Sequence, residues 1–222
     1  AAEVFEPSVD RFGRPVRCAG PVEEREHIRG AAFQGSAEAG ELDERLRAFI
    51  AKQHIFFVAS APNGPDGHVN CSPKGLDTLR ILGPTSVAYL DFVGSGAETI
   101  AHARQNGRVV IMFCAFEGPP KILRLHGHAE ILEPNDAEFA PLLARFDPKP
   151  GMRAIIRVEV SRISDSCGYG VPLMRFEGER SQMIEWAERK QEAGLVAYQR
   201  EHNATSLDGL PSLRWTESGC ES

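Results

Sequence analysis

The chain lacks any apolar run near the ~20 residues that a bilayer-spanning helix needs. It has no basic-then-apolar leader, so nothing in it signals secretion, and it starts without Met, as a processed or trimmed start would. Basic residues are not in excess. The 25 Lys and Arg stand against 31 Asp and Glu, and a net charge of −6 argues against a general nucleic-acid surface. The five cysteines (Cys18, Cys71, Cys114, Cys167 and Cys220) are scattered and never form a CxxC pair, which favours reduced thiols in a cytoplasm over a disulfide framework or a zinc site. GxSxG, Walker A and HExxH are absent, no GxGxxG follows a first strand, and no internal repeat occurs. The 42% hydrophobic and 25% charged residues are those of an ordinary globular protein, long enough for one large domain or one domain with appendages.

One stretch organises the rest: His68-Val69-Asn70-Cys71-Ser72-Pro73-Lys74-Gly75. As a strand it places His68, Asn70, Ser72 and Lys74 on one side and Val69 and Cys71 on the other, because strand side chains alternate. The expectation is a polar side ending in a cation and a second side that can face a core. Pro73 cannot donate to a ladder, which puts the strand at an edge or makes it irregular. Gly75 permits a sharp departure or a close backbone approach by a ligand. Two readings stand: a site for a phosphate-bearing cofactor, or a half-exposed edge strand.

Residues 1 to about 40 are rich in Gly, Pro, Ala and Glu and read as an irregular arm with a short helix near residues 22–28. A helix is expected over residues 41–54, where Leu42, Leu46, Phe49 and Ile50 form an apolar stripe at helical spacing. Residues 55–59 follow as a buried strand, and the turn residues Asn63-Gly64-Pro65-Asp66-Gly67 join it to residues 68–75 as a hairpin. After a short extended piece at 76–82, strands are expected over 86–92, 108–116, 121–132 and 153–163. Helices are expected over 97–105, 134–146 and 179–193. Residues 108–116 are apolar on both faces and suggest a central strand covered on both sides. In residues 121–132, Leu123, Leu125 and Ala129 share one face, and Arg124, His126, His128 and Glu130 share the other. In residues 153–163, Ala154, Ile156, Val158 and Val160 point inward. About six strands in short antiparallel steps fit a closed or partly closed barrel with flanking helices.

Gly94-Ser95-Gly96-Ala97-Glu98-Thr99 sits where a strand hands over to a helix. The amides and dipole of a helix start suit a phosphate, and Ser95 and Thr99 add hydroxyls. Ser95-x-x-Glu98 is equally a capping box that needs no ligand, and Glu98 would repel a phosphate. His126-x-His128 could present two imidazoles to a metal, but no third ligand is evident at matching spacing, and a solvated polar face is the simpler reading. Arg124, on the same face, has the planar fork that suits a phosphate or a carbonyl. Asp91 ends an apolar strand, either as a site acid or as a strand-end turn residue. Cys71 and Cys114 read as packed thiols.

Taken in succession, HVNCSPKG, SVAYLDF, GSGAETIAHARQN, RVVIMFCAF and KILRLHGHAEIL resemble the pyridoxamine 5′-phosphate oxidase-like family of FMN-binding split barrels. The tail pieces SCGYGVPLMRF and NATSLDGLP look like those of a bacterial subgroup labelled only as pyridoxamine 5′-phosphate oxidase-related, and the likeness covers roughly residues 42–211. The resemblance implies a mainly β fold: a six-stranded antiparallel split β-barrel (Greek key) with flanking α-helices. Its parts would be an arm at 1–40, an FMN-binding barrel at 41–164, and a C-terminal corner and helix at 165–222 on the barrel or the dimer seam. It further implies a cytoplasmic homodimer with FMN at the interface and a small-molecule substrate, and neither nucleic acid nor membrane as partner.

The cofactor-binding positions implied are Asn70, Ser72 and Lys74 on the strand lining the flavin and phosphate, and Ser95 and Thr99 at the helix start that receives the phosphate. Arg124 would lie on a strand reaching toward the flavin, and the 167–172 corner and Trp186 would come from the partner subunit. Two departures are visible. Glu98 and Thr99 fall where the true oxidase carries an Arg-Lys pair, and the tail has no match to its basic, Trp-containing segment. The expected function is therefore an FMN-binding oxidoreductase acting on an unidentified small molecule. The alternative is a non-catalytic flavin- or haem-binding carrier or sensor. A flavin brings its own redox chemistry, which accounts for the absence of any catalytic triad.

Overall fold

Asp43 begins the first helix. Its Oδ1 accepts the Leu46 N–H at 2.7 Å and so satisfies one of the amides a helix start leaves unpaired. The helix, α1 (Glu44–Ile50), buries Leu46 and Ile50 against the sheet and is shorter than the stretch 41–54 expected. The computed structural model describes residues 38–214. The arm up to residue 37, its expected helix near residues 22–28, Cys18 and Cys220 lie outside the described residues.

The strands are β1 (Glu38–Ala39), β2 (Phe56–Ser60), β3 (Asn70–Lys74), β4 (Leu79–Ile81), β5 (Ser86–Phe92), β6 (Arg108–Cys114), β7 (Ile122–Leu132) and β8 (Met152–Ser166). The other helices are α2 (Glu98–Asn106), α3 (Phe139–Leu143) and α4 (Gln182–His202). All pairings are antiparallel, in the order β3-β2-β6-β7-β8-β5-β4, and β1 adds to β8. This path holds seven strands rather than the expected six. The extra one is β4, whose three residues are too few to show alternation in sequence; it pairs with β5 from Leu79–Tyr89 to Ile81–Val87. The sheet curls into a half-barrel, and Lys74 at the end of β3 reaches Asp91 on β5.

Alternation sorts the side chains. Val58, Val87, Tyr89, Ile111, Phe113, Leu123, Leu125, Ile156 and Val158 fill the concave side with Leu46 and Ile100 from the helices, and Leu213 of the tail joins them. Each fully buried aliphatic chain there contributes about 1.5–3 kcal/mol. On the convex side, α3 and Phe146 cover Ala88, Leu90, Leu132 and Ile155. The other convex end differs: Phe57, Ala59, Val110 and Met112 are half-buried, and Cys71 and Pro73 are exposed. The expectation that residues 108–116 are covered on both sides therefore holds for only one face. Gly107 and Gly127 are among the glycines that are sterically required. Gly107 ends α2 in the left-handed region at φ 70°, and a Cβ on Gly127 would lie 2.1 Å from the Glu159 carbonyl oxygen at the β7–β8 bulge.

Two expected helices change extent. Residues 134–146 contain only the five-residue α3, and α4 runs past residue 193 to His202 with a break at Gln191 (φ 55°, ψ 172°). The break brings Trp186 edge-on to Tyr198 at 5.0 Å. The following segment returns to the barrel: Asn203, fully buried, donates to the Gly94 carbonyl, and Leu207 N–H donates to Glu98. Among the described residues, no helix is long and apolar enough to cross a membrane.

Candidate functional site

The side chains of β3 face opposite to expectation. Asn70, Ser72 and Lys74 pair with Ser60, Val58 and Phe56, all buried, and so point to the concave side. Cys71 and Val69 are exposed, Val69 at 74%, so neither faces a core. The physical reason is that β3 ends the sheet beside α2, where the concave side is polar. Asn70 Nδ2 donates to Thr99 Oγ1 at 2.9 Å, and Ser72 Oγ donates to Asn70 Oδ1 at 3.1 Å. Having accepted from Asn70, Thr99 retains its own proton for another acceptor. Cys114, by contrast, is buried as expected, and burial pushes its thiol up.

These groups enclose a cavity of about 220 Å³ that Ser95, Gly96, Glu98 and Phe92 complete. Ser95 is exposed at its rim. The expected Ser95–Glu98 capping box does not form: α2 has no side-chain cap. Glu98 instead accepts the Leu207 N–H at 3.0 and 3.1 Å.

Asp91 is no turn residue. It is 1% exposed on the cavity wall and accepts from Lys74 Nζ through one oxygen and from Arg153 Nε through the other, each at 2.7 Å. Burial alone would raise its pKa. The Arg153 guanidinium and the Lys74 ammonium outweigh that effect and hold the carboxyl at about 2. Arg153 also donates through Nη2 to the Gly96 carbonyl at 3.0 Å. Its third nitrogen, Nη1, is buried without any partner among the described residues. A buried guanidinium with an idle nitrogen on a cavity wall is set up to receive an acceptor.

Sequence reasoning missed Arg153 because alternation puts it on the convex face beside Ile155. The β5–β8 pairing steps from Asp91–Ala154 to Phe92–Met152 and leaves Arg153 unpaired. The irregularity lets Arg153 turn toward Asp91, as bulges near functional sites do. One signal was available: Asp91 is the lone charge in the otherwise apolar β5, and so calls for a cation nearby.

Of the six expected cofactor positions, Asn70, Ser72, Lys74, Ser95 and Thr99 line this cavity. Arg124 does not. It donates to Ser166 Oγ at 3.1 Å on the convex side of β7, opposite Met112 and Ser164. His126 and His128 share that side, where burial first and then Arg162 and Arg124 lower the pKa of His126. No group of three metal-ligating side chains occurs among the described residues.

A larger groove of about 1610 Å³ shares Lys74, Phe92 and Gly94 with the small cavity. Phe49, Phe57, Pro73 and Phe116 give it apolar walls, and the tail segment at residues 174–183 forms a further wall. That segment is fastened by Met174 N–H to the Phe116 carbonyl, by Phe176 N–H to Glu117, and by Phe176 stacked on His54 at 3.7 Å.

The model of the pyridoxamine 5′-phosphate oxidase family matches residues 42–167. The pyridoxamine 5′-phosphate oxidase family protein ustO of Aspergillus flavus is 39% identical over 189 residues, which cover 78% of this chain and 76% of that protein. Among solved structures, an FMN-binding protein from Syntrophomonas wolfei is 16% identical with a TM-score of 0.41, over 57% of this chain and 82% of its own. The FAD-binding protein of Mycobacterium smegmatis is 12% identical with a TM-score of 0.41, over 57% and 96%. Those two likenesses are too distant to bear on the ligand. The family model and the 39% relative are enough: the chain belongs to the pyridoxamine 5′-phosphate oxidase family.

Proposed function

We propose that the protein binds FMN and works as a flavin-dependent oxidoreductase on a small molecule, as a homodimer. The observation that carries the reading is the unpartnered, buried Nη1 of Arg153 beside Lys74 at the start of α2. The residues fit a phosphate group. Arg153, Lys74 and Thr99 line this one space. Arg153 Nη1, the remaining protons of Lys74 Nζ and the Thr99 hydroxyl have no acceptor among the described residues, and α2 presents its positive end. The adjoining groove, with its apolar walls, would hold the flavin ring against Phe57, Pro73 and Phe92.

A bound flavin would supply hydride exchange, which needs no acid or base from the protein. The chain's part is then to fix the phosphate through Lys74 and Arg153, to keep both cations oriented through Asp91, and to present an apolar wall to the ring. The homodimer is supported by the convex end of the sheet, where Val69, Cys71 and Pro73 are exposed beside half-buried Phe57, Ala59, Val110 and Met112. A row of apolar side chains across three adjacent strands suits burial against a second copy.

Titration of FMN with the purified protein, followed by quenching of flavin fluorescence, tests the reading. Saturable quenching at one FMN per chain is the expected result, and unquenched fluorescence would refute it. Anaerobic mixing of the loaded protein with NADPH or NADH then separates an enzyme, which bleaches faster than free FMN, from a carrier, which does not.

A further inference from the structure

The small cavity holds as many formal negative charges as positive ones. Lys74 from β3 and Arg153 from β8 face Asp91 from β5 and Glu98 from α2. Asp91 cannot be relieved by protonation near neutrality, because its two cations hold it ionised. Glu98 is the second carboxylate of the cavity. Its Oε1 lies 3.2 Å from where a Cβ on Gly96 would be, which puts the carboxylate over the start of α2. Two further contacts fix it there: the Leu207 N–H of the tail, and His102 Nε2 at 4.0 Å from Oε2. His102 is fully buried, its Nδ1 lies 3.0 Å from Ser60 Oγ, and its Nε2 has no hydrogen-bond partner among the described residues. On the tail side, Asp208 adds a further carboxylate, paired with His68.

A phosphate that enters this cavity meets donors enough for its oxygens but no net positive charge for a second negative charge. We propose that Glu98 is the specificity-determining residue of the cavity and makes it accept a phosphate group as a monoanion, either a monoester carrying one proton or a diester, in preference to a dianionic monoester. The proposal rests on the flavin reading above and refines it. A phosphate monoester loses its second proton near pH 6, so at pH 7.5 only about 3% of it carries a single charge, against about three quarters at pH 5.5. A diester stays a monoanion throughout.

The test is to measure Kd by flavin fluorescence between pH 5.5 and 7.5 for FMN and for its methyl phosphodiester, which is nearly the same size. For the native protein, FMN binding is expected to tighten about tenfold or more toward pH 5.5. The diester should bind equally at all pH values and more tightly than FMN at pH 7.5. In Glu98→Gln, which keeps an acceptor for Leu207, FMN should bind about tenfold more tightly at pH 7.5 and lose most of its pH dependence. FMN affinity that is flat or falls in acid overturns the proposal. So does a diester that tightens in step with FMN, which would place the titration on the protein rather than on the phosphate. The native-protein comparison decides the matter even if the variant does not fold. Failure of both ligands to bind at any pH is a different result, and removes the flavin reading itself.

Discussion

Arg153 Nε and Asp91 Oδ2 lie 2.7 Å apart, although strict alternation along β8 would put Arg153 on the convex face. Lys74 reaches the same carboxylate from the end strand, so one carboxylate holds two cations on the wall of one cavity. Removing the carboxylate leaves two buried or half-buried positive charges uncompensated. Asp91→Asn is expected to destabilise the protein by about 3 kcal/mol. Urea denaturation measures this, and a loss below about 1 kcal/mol would show that the network does not hold the fold.

The same carboxylate sets an acid limit. Burial works to raise the Asp91 pKa, but Arg153 and Lys74 prevail and depress it from 3.8 to about 2. A depressed carboxyl contributes stability that is present above its unfolded value and lost as pH falls through its folded one. The contribution, about 2 kcal/mol, is therefore complete above pH 4 and gone below pH 2. Denaturation midpoints measured across pH 2–5 should fall more steeply for the native protein than for Asp91→Asn. Parallel curves would contradict this assignment.

Ligand variants separate the two arginines. Arg153→Gln and Lys74→Ala should each weaken FMN binding tenfold or more, since charge-assisted contacts of this kind are worth roughly 1.5–3 kcal/mol. Arg124→Ala, whose guanidinium lines neither the cavity nor the groove, should change affinity less than twofold. Isothermal titration with FMN distinguishes them, and the opposite ranking would move the phosphate to β7.

Gly127→Ala tests the bulge between β7 and β8. The new methyl would meet the Glu159 carbonyl oxygen, which is backbone and cannot swing away. A loss of about 1–3 kcal/mol, or failure to fold, is expected in thermal melts. An unchanged melting temperature would mean that β7 and β8 pair differently at His126 and Gly127.

The exposed side of β3 bears on assembly. Cys71→Asp puts a charge in the apolar row that the homodimer would bury. Sedimentation velocity should show a dimer for the native protein and a monomer for the variant, and a native monomer would refute the assembly.

The antiparallel character of the sheet and the inward faces of β7 and β8 were legible in sequence, from short connections and from Leu123, Leu125, Ala154, Ile156 and Val158 recurring with period 2. The polar side shared by Asn70, Ser72 and Lys74 and the glycine-flanked helix start with Ser95 and Thr99 stood out locally, and the family resemblance is what joined the two. The orientation of β3 was not. Alternation says which residues share a side but not which side meets the core, and here the polar side turns inward to α2. Arg153 was hidden because a bulge resets the phase, and the anchoring of Glu98 because its partner, Leu207, lies 109 residues away. Four residues of separation along a helix can be read from a sequence; a tail that returns to the barrel cannot.

The absorption spectrum of the purified protein, taken before and after denaturation, tests the central claim most directly. Bands near those of oxidised flavin, released into the supernatant on denaturation and matching FMN, are the predicted result. A Soret band, or a colourless protein that takes up no added FMN, would contradict it.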